Sequence, residues 1–240
     1  MVAQNTVWGL DEEGLERRNP VISVLGDSIT AGHFEWTISK AEVRRFLDGQ
    51  LKESETQILE VVDLRQVYHE QFRMLLADYY GNTSVSVINA GVAGDNLIGM
   101  EKRLKRDVLN FDPDLIIWNG SMNWNEKMGS TEDYGKLLET TIEEIRDVTD
   151  AEIILMTPNL SVPLKTPEAL RLRERVECIR KMAEKYGLCL ADVYQFWEDF
   201  CGMYHPDVRE MLANGINHPT AAGHTVYAEC LMQLVRHAAE

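Results

Sequence analysis

The chain has 240 residues, of which 45% are hydrophobic and 26% charged, a composition typical of a globular protein with a sizeable core. Its 39 acidic and 24 basic residues give a net charge of −15, which argues against nucleic acid or an anionic membrane as the main partner. Apolar runs stay short of the ~20 residues that a membrane span needs, and the first residues show no secretion pattern. We therefore expect a cytoplasmic protein without a membrane partner.

Cysteine and histidine usage gives no sign of a metal site. The four cysteines, Cys178, Cys189, Cys201 and Cys230, have no zinc-type spacing. The histidines and carboxylates also lack a recognised ligand spacing. We predict reduced thiols, no metal and no cofactor.

The N-terminal residues differ in character from the rest of the chain. Residues 1–20 are mostly polar and are predicted to form an arm over a single domain of residues 21–240. Trp8 in this arm is a candidate contact to the domain surface or to a second subunit, so a homo-oligomer is an open alternative.

Short apolar segments alternate with helical patterns through the domain. The predicted strands are 21–25, 85–88, 115–118, 151–156 and 188–191. The predicted helices are 37–52, 63–80, 97–109, 131–148, 166–185, 193–200, 207–213 and 220–239. This alternation predicts a three-layer α/β/α fold around a five-stranded parallel sheet. Segment 35–62 is interpreted as a cover over the site, and the basic residues of helix 97–109 (Lys102, Arg103, Lys105, Arg106) as a solvated face.

The first strand leads directly into a candidate reactive serine. After the apolar residues 21–25, Gly26 permits a sharp exit, and Ser28 follows at the edge where open α/β sheets bind ligands. Asp27-Ser28 after glycine is also a common turn and helix-cap composition, so this stretch alone leaves both interpretations open. His218, just before the last helix, is the best candidate base for activating the serine.

Several separated motifs resemble the SGNH (GDSL-type) hydrolases. They are residues 26–30 (Gly-Asp-Ser-Ile-Thr), residues 89–95 (Asn-Ala-Gly-Val-Ala-Gly-Asp), Asn123 after the third strand, and His218-Pro219. They occur in the family's order and span most of the chain. The resemblance implies a flavodoxin-like fold, a nucleophile at Ser28, a base at His218, and oxyanion donors at the Ser28 and Gly94 N–H groups and the Asn123 amide.

The sequence departs from the family pattern at two motifs. Ser121 and Trp124 stand where the third motif usually has glycine and aspartate. Gly215 stands where an aspartate usually lies, three positions before the histidine. Asn214 is therefore the first candidate to orient the imidazole, with a backbone carbonyl as an alternative, although a neutral amide cannot stabilise imidazolium as a carboxylate does. Asp192 and Asp207 are further candidates for this role.

Other residues are assigned around the proposed centre. Asp27, Trp124 and His33 are predicted to line the substrate pocket, and Trp36 is more readily explained by ordinary packing. His205 is the second candidate base. His224 is interpreted as a packing or capping residue inside the last helix, and His69 and His237 as surface residues of helices.

The sequence leads to one main hypothesis and two alternatives. The main hypothesis is a serine esterase that hydrolyses short-chain carboxylic esters, with O-acetyl groups on carbohydrates as a substrate suggested by family analogy. The first alternative is a binding protein on a degenerate hydrolase scaffold, because the usual aspartate is missing. The second is an acyltransferase, in which a sugar or alcohol replaces water.

Overall fold

The computed structural model describes residues 18–37, 50, 58–81, 84–161, 167–204 and 211–238. Strands and helices are numbered below in chain order within these residues. The strands are β1 (Val21–Gly26), β2 (His33–Thr37), β3 (Ile58–Val62), β4 (Ser86–Gly91), β5 (Leu115–Asn119), β6 (Glu152–Met156) and β7 (Cys189–Ala191). The helices are α1 (Ser28–Ala31), α2 (Tyr68–Tyr79), α3 (Leu97–Asp107), α4 (Thr131–Val148), α5 (Pro167–Tyr186), α6 (Val193–Tyr204) and α7 (Ala221–Ala238).

Five parallel strands form the central sheet in the order β4-β1-β5-β6-β7. Because β1 lies between β4 and β5, the chain changes its direction of winding at β1, and ligands of such sheets bind at this switch point. The register pairs Gly26 of β1 with Gly91 of β4 and with Asn119 of β5. The segments that follow these three strands therefore begin side by side.

Alternate residues of each central strand supply two separate cores. Val24 and Ile117 face a cluster that includes α2, α6 and α7, whereas Leu25 and Ile116 face a cluster that includes α3 and α4. All four side chains are fully buried. Successive side chains of a strand point to opposite faces, so a continuous apolar strand packs helices on both sides. The predicted three-layer α/β/α fold and the five predicted strands of the sheet are confirmed.

Helix α2 begins later than the pattern predicts. Its first residue is Tyr68, and the preceding Val67 is extended. The Asp63 carboxylate instead accepts hydrogen bonds from the Arg65 N–H and side chain and from the Gln66 amide. Such local bonds favour a turn over a helix, so residues 63–67 do not continue the helical periodicity.

The segment after α1 contains a second, small sheet that the sequence does not predict. Strands β2 and β3 pair antiparallel, with His33 opposite Val62 and Thr37 opposite Ile58. Most of the predicted helix 37–52 and most of the predicted helix 207–213 lie outside the described residues. Leu212 forms an isolated antiparallel bridge with Pro219, and this bridge closes the loop that carries His218.

Candidate active site

Ser28 is the first residue of the short helix α1, which starts immediately beyond β1. Asp27 precedes the helix in an extended conformation, and its carboxylate accepts a hydrogen bond from the Ile29 N–H at 3.0 Å. Gly32 ends the helix in a left-handed conformation. The sharp exit at Gly26 and the cap at Asp27 therefore fix where the serine hydroxyl lies.

The serine meets the histidine predicted to be its base. The Ser28 Oγ and the His218 Nε2 lie 2.9 Å apart, although 190 residues separate them in the chain. Both side chains are largely buried, with exposed fractions of 8% and 7%. A hydroxyl at this distance donates to an imidazole nitrogen, which is the arrangement that activates a serine for attack.

The turn after β4 presents Gly94 with a positive φ. The Asp95 N–H donates to the Val92 carbonyl oxygen at 3.1 Å, which places Gly94 at the third position of a β-turn with φ of 73°. Glycine adopts this conformation without strain. Open space surrounds the position where a Cβ would lie, so a reacting carbonyl has room to approach the turn.

Asn123 joins this turn from the loop after β5. Its side-chain amide donates to the Asp95 backbone oxygen at 3.0 Å, and its second N–H remains to serve another acceptor. The adjacent Trp124 is 7% exposed, its indole N–H donates to the Gly129 carbonyl oxygen, and its ring packs edge-on against Tyr134. The predicted oxyanion residues Gly94 and Asn123 are thus neighbours.

Gly91 allows the turn to lie close to the serine helix. A Cβ at Gly91 would come within 2.2 Å of the Ala31 backbone nitrogen and 2.6 Å of the Thr30 carbonyl carbon. Backbone atoms cannot yield by such a distance. Only glycine therefore lets β4 pass this close to α1, and the approach sets the spacing between the two motifs.

Arg103 does not lie on a solvated face, contrary to the sequence interpretation. Its side chain is only 9% exposed, and its guanidinium donates to the Gly26 carbonyl oxygen at 2.9 Å and the Ala90 carbonyl oxygen at 2.7 Å. It also pairs with Asp95 at 2.6 Å and Asp107 at 3.2 Å. The planar fork of arginine makes several directed bonds at once, which lets a single side chain tie the ends of β1 and β4 together.

The carboxyl of Asp27 lies in the protein interior beneath the serine. It is 1% exposed, and burial raises its pKa from 3.8 to about 7. The Ile29 N–H and the Arg103 guanidinium oppose this rise, and the charge of Asp95 adds to it. Its second oxygen has no hydrogen-bond partner among the described residues. The observed contacts of Asp27 are thus those of a helix cap.

A group of buried polar side chains surrounds this carboxyl. The hydroxyls of Thr30 and Tyr68 lie 2.9 Å apart, and the Tyr227 hydroxyl donates to the Asn159 side-chain oxygen at 2.7 Å. Burial raises the pKa of both tyrosines, so both remain neutral phenols in the physiological range.

Two further histidines are buried near the serine. The prediction for His224 is confirmed: it is fully buried in α7, its Nδ1 accepts from the Tyr68 N–H, and burial lowers its pKa to about 3. The prediction that His69 lies on a helix surface is wrong. His69 is 4% exposed and its Nε2 donates to the Thr30 carbonyl oxygen at 3.0 Å, because the first turn of α2 packs on α1.

The remaining predicted site residues occupy varied positions. His33 opens β2, half-buried, one residue after Gly32 ends α1. Asp192 accepts from Thr157 and Arg180 at the end of β7. Asp207 and His205, and the side chains of Trp36 and His237, lie outside the described residues.

Asn214 and Asn217 both contact the second ring nitrogen of His218. The Asn214 Nδ2 lies 3.0 Å and the Asn217 Oδ1 lies 2.9 Å from Nδ1. Asn217 was not singled out from the sequence, although it directly precedes the His218-Pro219 motif. Arg103 was named only as part of a solvated face. Its hydrogen bonds depend on the pairing of β1 with β4 rather than on local sequence.

The described residues contain no group of three or more histidine, cysteine or carboxylate side chains that could bind a metal ion. Within the same part of the chain, no helix is long and apolar enough to cross a membrane.

Solved structures with the same fold cover almost the whole chain. The lipase/acylhydrolase from Enterococcus faecalis has a TM-score of 0.68 and 23% identity, covering 91% of this chain and 96% of that one. LAE5, an alpha/beta hydrolase enzyme from the metagenome of Lake Arreo in Spain, has a TM-score of 0.67 and 21% identity, covering 89% and 94%. Axe2, an acetylxylan esterase from Geobacillus stearothermophilus, has a TM-score of 0.67 and 19% identity, covering 89% and 93%.

Comparison at the level of sequence identifies the family. The comparison with curated proteins finds no match. The model of the GDSL-like lipase/acylhydrolase family matches residues 24–226, a range that includes Ser28, the Gly94 turn, Asn123 and His218. The chain therefore belongs to the GDSL-like lipase/acylhydrolase family and is a hydrolase.

Proposed function

We propose that the protein is a serine esterase that hydrolyses short-chain carboxylic esters through an acyl-enzyme on Ser28. The observation that carries this proposal is the 2.9 Å distance between the Ser28 Oγ and the His218 Nε2. In the first step the Ser28 oxygen attacks the ester carbonyl carbon while its proton passes to His218 Nε2.

The oxyanion that forms has three proposed donors. They are the backbone N–H groups of Ser28 and Gly94 and the free N–H of the Asn123 side chain. Support comes from the bond between Asn123 and the Asp95 backbone, which holds the amide beside the Gly94 turn. Donors held in position before the reaction stabilise the developing charge without reorganisation. When the intermediate collapses, His218 returns the proton to the leaving alcohol.

The second half of the reaction releases the acid. Water attacks the acyl carbonyl carbon, gives a proton to His218 Nε2, and the Ser28–acyl bond breaks as that proton returns to the serine oxygen. An acyltransferase would differ only here, because an alcohol would replace water. Hydrolysis is therefore measured by the release of free acid, and transfer by the formation of a new ester.

The proposed substrate is a small acyl ester, with acetylated carbohydrate as its natural form. Support comes from Axe2, which is described as an acetylxylan esterase. Axe2 variants described as catalytic mutants replace a serine, a histidine and an aspartate three positions before that histidine. Gly215 occupies the corresponding place before His218 in this chain. Trp124 and His33 remain the proposed pocket residues, since Trp124 directly follows Asn123 and His33 directly follows Gly32, which ends the helix that begins at Ser28.

The test uses p-nitrophenyl esters of increasing acyl length. We expect hydrolysis of the acetate faster than that of the octanoate, and a loss of about 10⁴-fold or more in kcat for Ser28→Ala and His218→Ala, because both remove a group that acts directly on the reacting atoms. A fluorophosphonate probe should label the parent protein and leave Ser28→Ala unlabelled. An equally active Ser28→Ala variant would show the assignment to be wrong, and absent labelling would favour the binding-protein alternative.

A further inference from the structure

The loop before α7 holds His218 by side chains other than the family's aspartate. Gly215 has no side chain to offer the ring, whereas two asparagines among the described residues of the loop contact it. Asn214 and Asn217 both reach Nδ1 of His218, one through nitrogen and the other through oxygen. These two contacts favour different tautomers of the ring, so their hydrogen-bond networks decide which form is present.

The orientation of Asn214 is set by the backbone of its own loop. Its side-chain oxygen accepts from the N–H groups of Ile216 at 2.9 Å, Asn217 at 2.9 Å and His218 at 3.0 Å. All three partners are donors only, so this position must be an oxygen. The Asn214 NH₂ group therefore faces the other way, toward the Asn217 side chain and the imidazole.

The orientation of Asn217 follows from that of Asn214. The Asn214 Nδ2 donates to the Asn217 Oδ1 at 2.9 Å. Two NH₂ groups cannot face each other at this distance, so the atom of Asn217 beside Nδ1 is an oxygen. That oxygen has two lone pairs: the first accepts from Asn214, and the second points to the imidazole nitrogen 2.9 Å away.

We propose that Asn217 positions His218 by accepting a hydrogen bond from the Nδ1–H of the ring. This inference rests on the proposed esterase reaction at Ser28. With the proton on Nδ1, the Nε2 lone pair faces the Ser28 hydroxyl and can take its proton. The Asn214 amide already has an acceptor in Asn217, so its proximity to Nδ1 does not require the opposite tautomer. Asn214 thus stabilises the backbone of the loop, and Asn217 fixes the orientation and tautomer of the His218 ring.

The backbone of Asn217 is also held on both sides. Its N–H donates to Asn214, and its carbonyl oxygen accepts from the buried Asn159 side chain at 3.0 Å. Asn159 is in turn bonded to the Tyr227 hydroxyl. The acceptor is therefore held in place before the reaction, but it carries no charge. A neutral acceptor orients imidazolium without the Coulombic stabilisation that a carboxylate supplies.

The experiment compares Asn217→Ala, Asn217→Asp and the control Asn110→Ala, which removes an exposed asparagine that follows α3 at the opposite edge of the sheet. For Asn217→Ala we expect kcat for p-nitrophenyl acetate to fall roughly 10²-fold with KM little changed, because the ring loses its alignment. For Asn217→Asp we expect kcat to recover most of that loss. The acid limb of the pH profile of kcat should move upward in Asn217→Asp by roughly one pH unit or more, because the new carboxylate favours the protonated ring of His218.

The ring itself provides a readout that does not depend on turnover. In ¹⁵N NMR spectra of the full chain, His218 should show a protonated Nδ1 in the parent protein, and its titration should move upward in Asn217→Asp. Buried His224, whose pKa is lowered to about 3, stays neutral in this range. The buried Asp27 carboxyl, whose pKa is raised to about 7, is present in both proteins, so the two His218 titrations are compared at the same pH values.

Several results would overturn the assignment. They are an Asn217→Ala variant that keeps the parent kcat, an Asn217→Asp variant whose ring titrates at the parent pH, or a parent ring protonated on Nε2. If Asn217→Ala does not fold, the isosteric Asn217→Asp variant and the NMR spectrum still decide. Failure of the esterase proposal itself appears separately, as Ser28→Ala activity equal to that of the parent protein.

Discussion

At the scale of single residues, Asp27 combines a structural role with an unusual ionisation. Its carboxylate caps α1, yet burial raises its pKa to about 7. This residue, directly before Ser28, is therefore expected to change its charge within the physiological pH range. The Asp95 carboxylate, in the turn after β4, raises the pKa of Asp27, and the Arg103 guanidinium, on α3, lowers it.

The ionisation of Asp27 predicts a specific pH dependence of stability. Because its pKa is near 7 in the folded protein and 3.8 when unfolded, the folded state binds more protons between these values. The free energy of unfolding should then fall as the pH rises from about 4 to about 7, by up to a few kcal/mol from this group alone.

Urea unfolding of the parent and of Asp27→Asn between pH 4 and pH 8 measures this contribution. The asparagine keeps an oxygen for the Ile29 cap but does not titrate. The difference between the two proteins in the slope of the free energy of unfolding against pH therefore isolates the contribution of the Asp27 carboxyl. We expect the parent to lose stability more steeply than the variant. Parallel slopes would mean that Asp27 ionises as freely in the folded protein as in the unfolded chain.

At the scale of elements, the site depends on how β1, β4 and β5 end beside one another. Arg103 on α3 holds the first two of these ends through the carbonyl oxygens of Gly26 and Ala90. Its ion pair with Asp95 extends the connection to the Gly94 turn, and Asn123, in the loop after β5, binds the Asp95 backbone. One guanidinium thus connects the elements that contribute the proposed nucleophile and the proposed oxyanion donors.

Replacing Arg103 by lysine should damage both stability and activity. A lysine ammonium cannot reach both carbonyl oxygens and the Asp95 carboxylate at once, so buried acceptors lose their donors. We expect the free energy of unfolding to fall by about 2–4 kcal/mol. We also expect kcat to fall at least tenfold, because the Gly94 turn, which carries a proposed oxyanion donor, moves relative to Ser28.

Arg106 provides the matched control on the same helix. Its side chain is 75% exposed and pairs with Asp107. Arg106→Lys should therefore change the free energy of unfolding by less than about 0.5 kcal/mol and leave kcat unaltered. Thermal melts and ester hydrolysis measure both variants. If the Arg103 and Arg106 variants behave alike, the buried bonds of Arg103 do not hold the site together.

At the scale of the whole molecule, one sheet separates two apolar cores. Trp197 lies in the cluster with α2, α6 and α7, and Trp118 and Trp124 lie in the cluster on the other face. Each strand of the sheet contributes to the stability of both cores. Arg18 pairs with Asp114, and the Pro20 carbonyl oxygen accepts from the Ser86 N–H. We propose that residues 21–240 form one hydrolase domain. Most of the predicted arm of residues 1–20, including Trp8, lies outside the described residues.

A single domain predicts a single cooperative unfolding transition. Far-UV circular dichroism and tryptophan fluorescence should give the same midpoint in urea, because neither core can persist without the shared sheet. The Trp197→Phe and Trp118→Phe variants each remove a tryptophan fluorescence signal from one face of the sheet. The unfolding midpoints measured by fluorescence and by circular dichroism should also coincide within each variant. Two midpoints separated by more than the fitting error would contradict a single folding unit.

The fold and the proximity of Ser28 and His218 were predictable from sequence because their signals are local. Continuous apolar strands followed by amphipathic helices indicate a parallel sheet, and Ser28 lies at the end of one such strand. The closing histidine was predictable from the family resemblance at His218-Pro219. Each of these signals depends on residues close together in the chain, where backbone geometry and periodicity act directly.

Only the tertiary structure decided the groups that hold the site in place. The sequence pattern predicts that Arg103 and His69 are exposed on their helices. Strand pairing and helix packing instead place both side chains against buried carbonyl oxygens. Asn217 stands next to His218 in the sequence, but its acceptor role depends on the side-chain orientation of Asn214. Buried hydrogen bonds join groups distant in sequence, so their partners emerge only when the chain has folded.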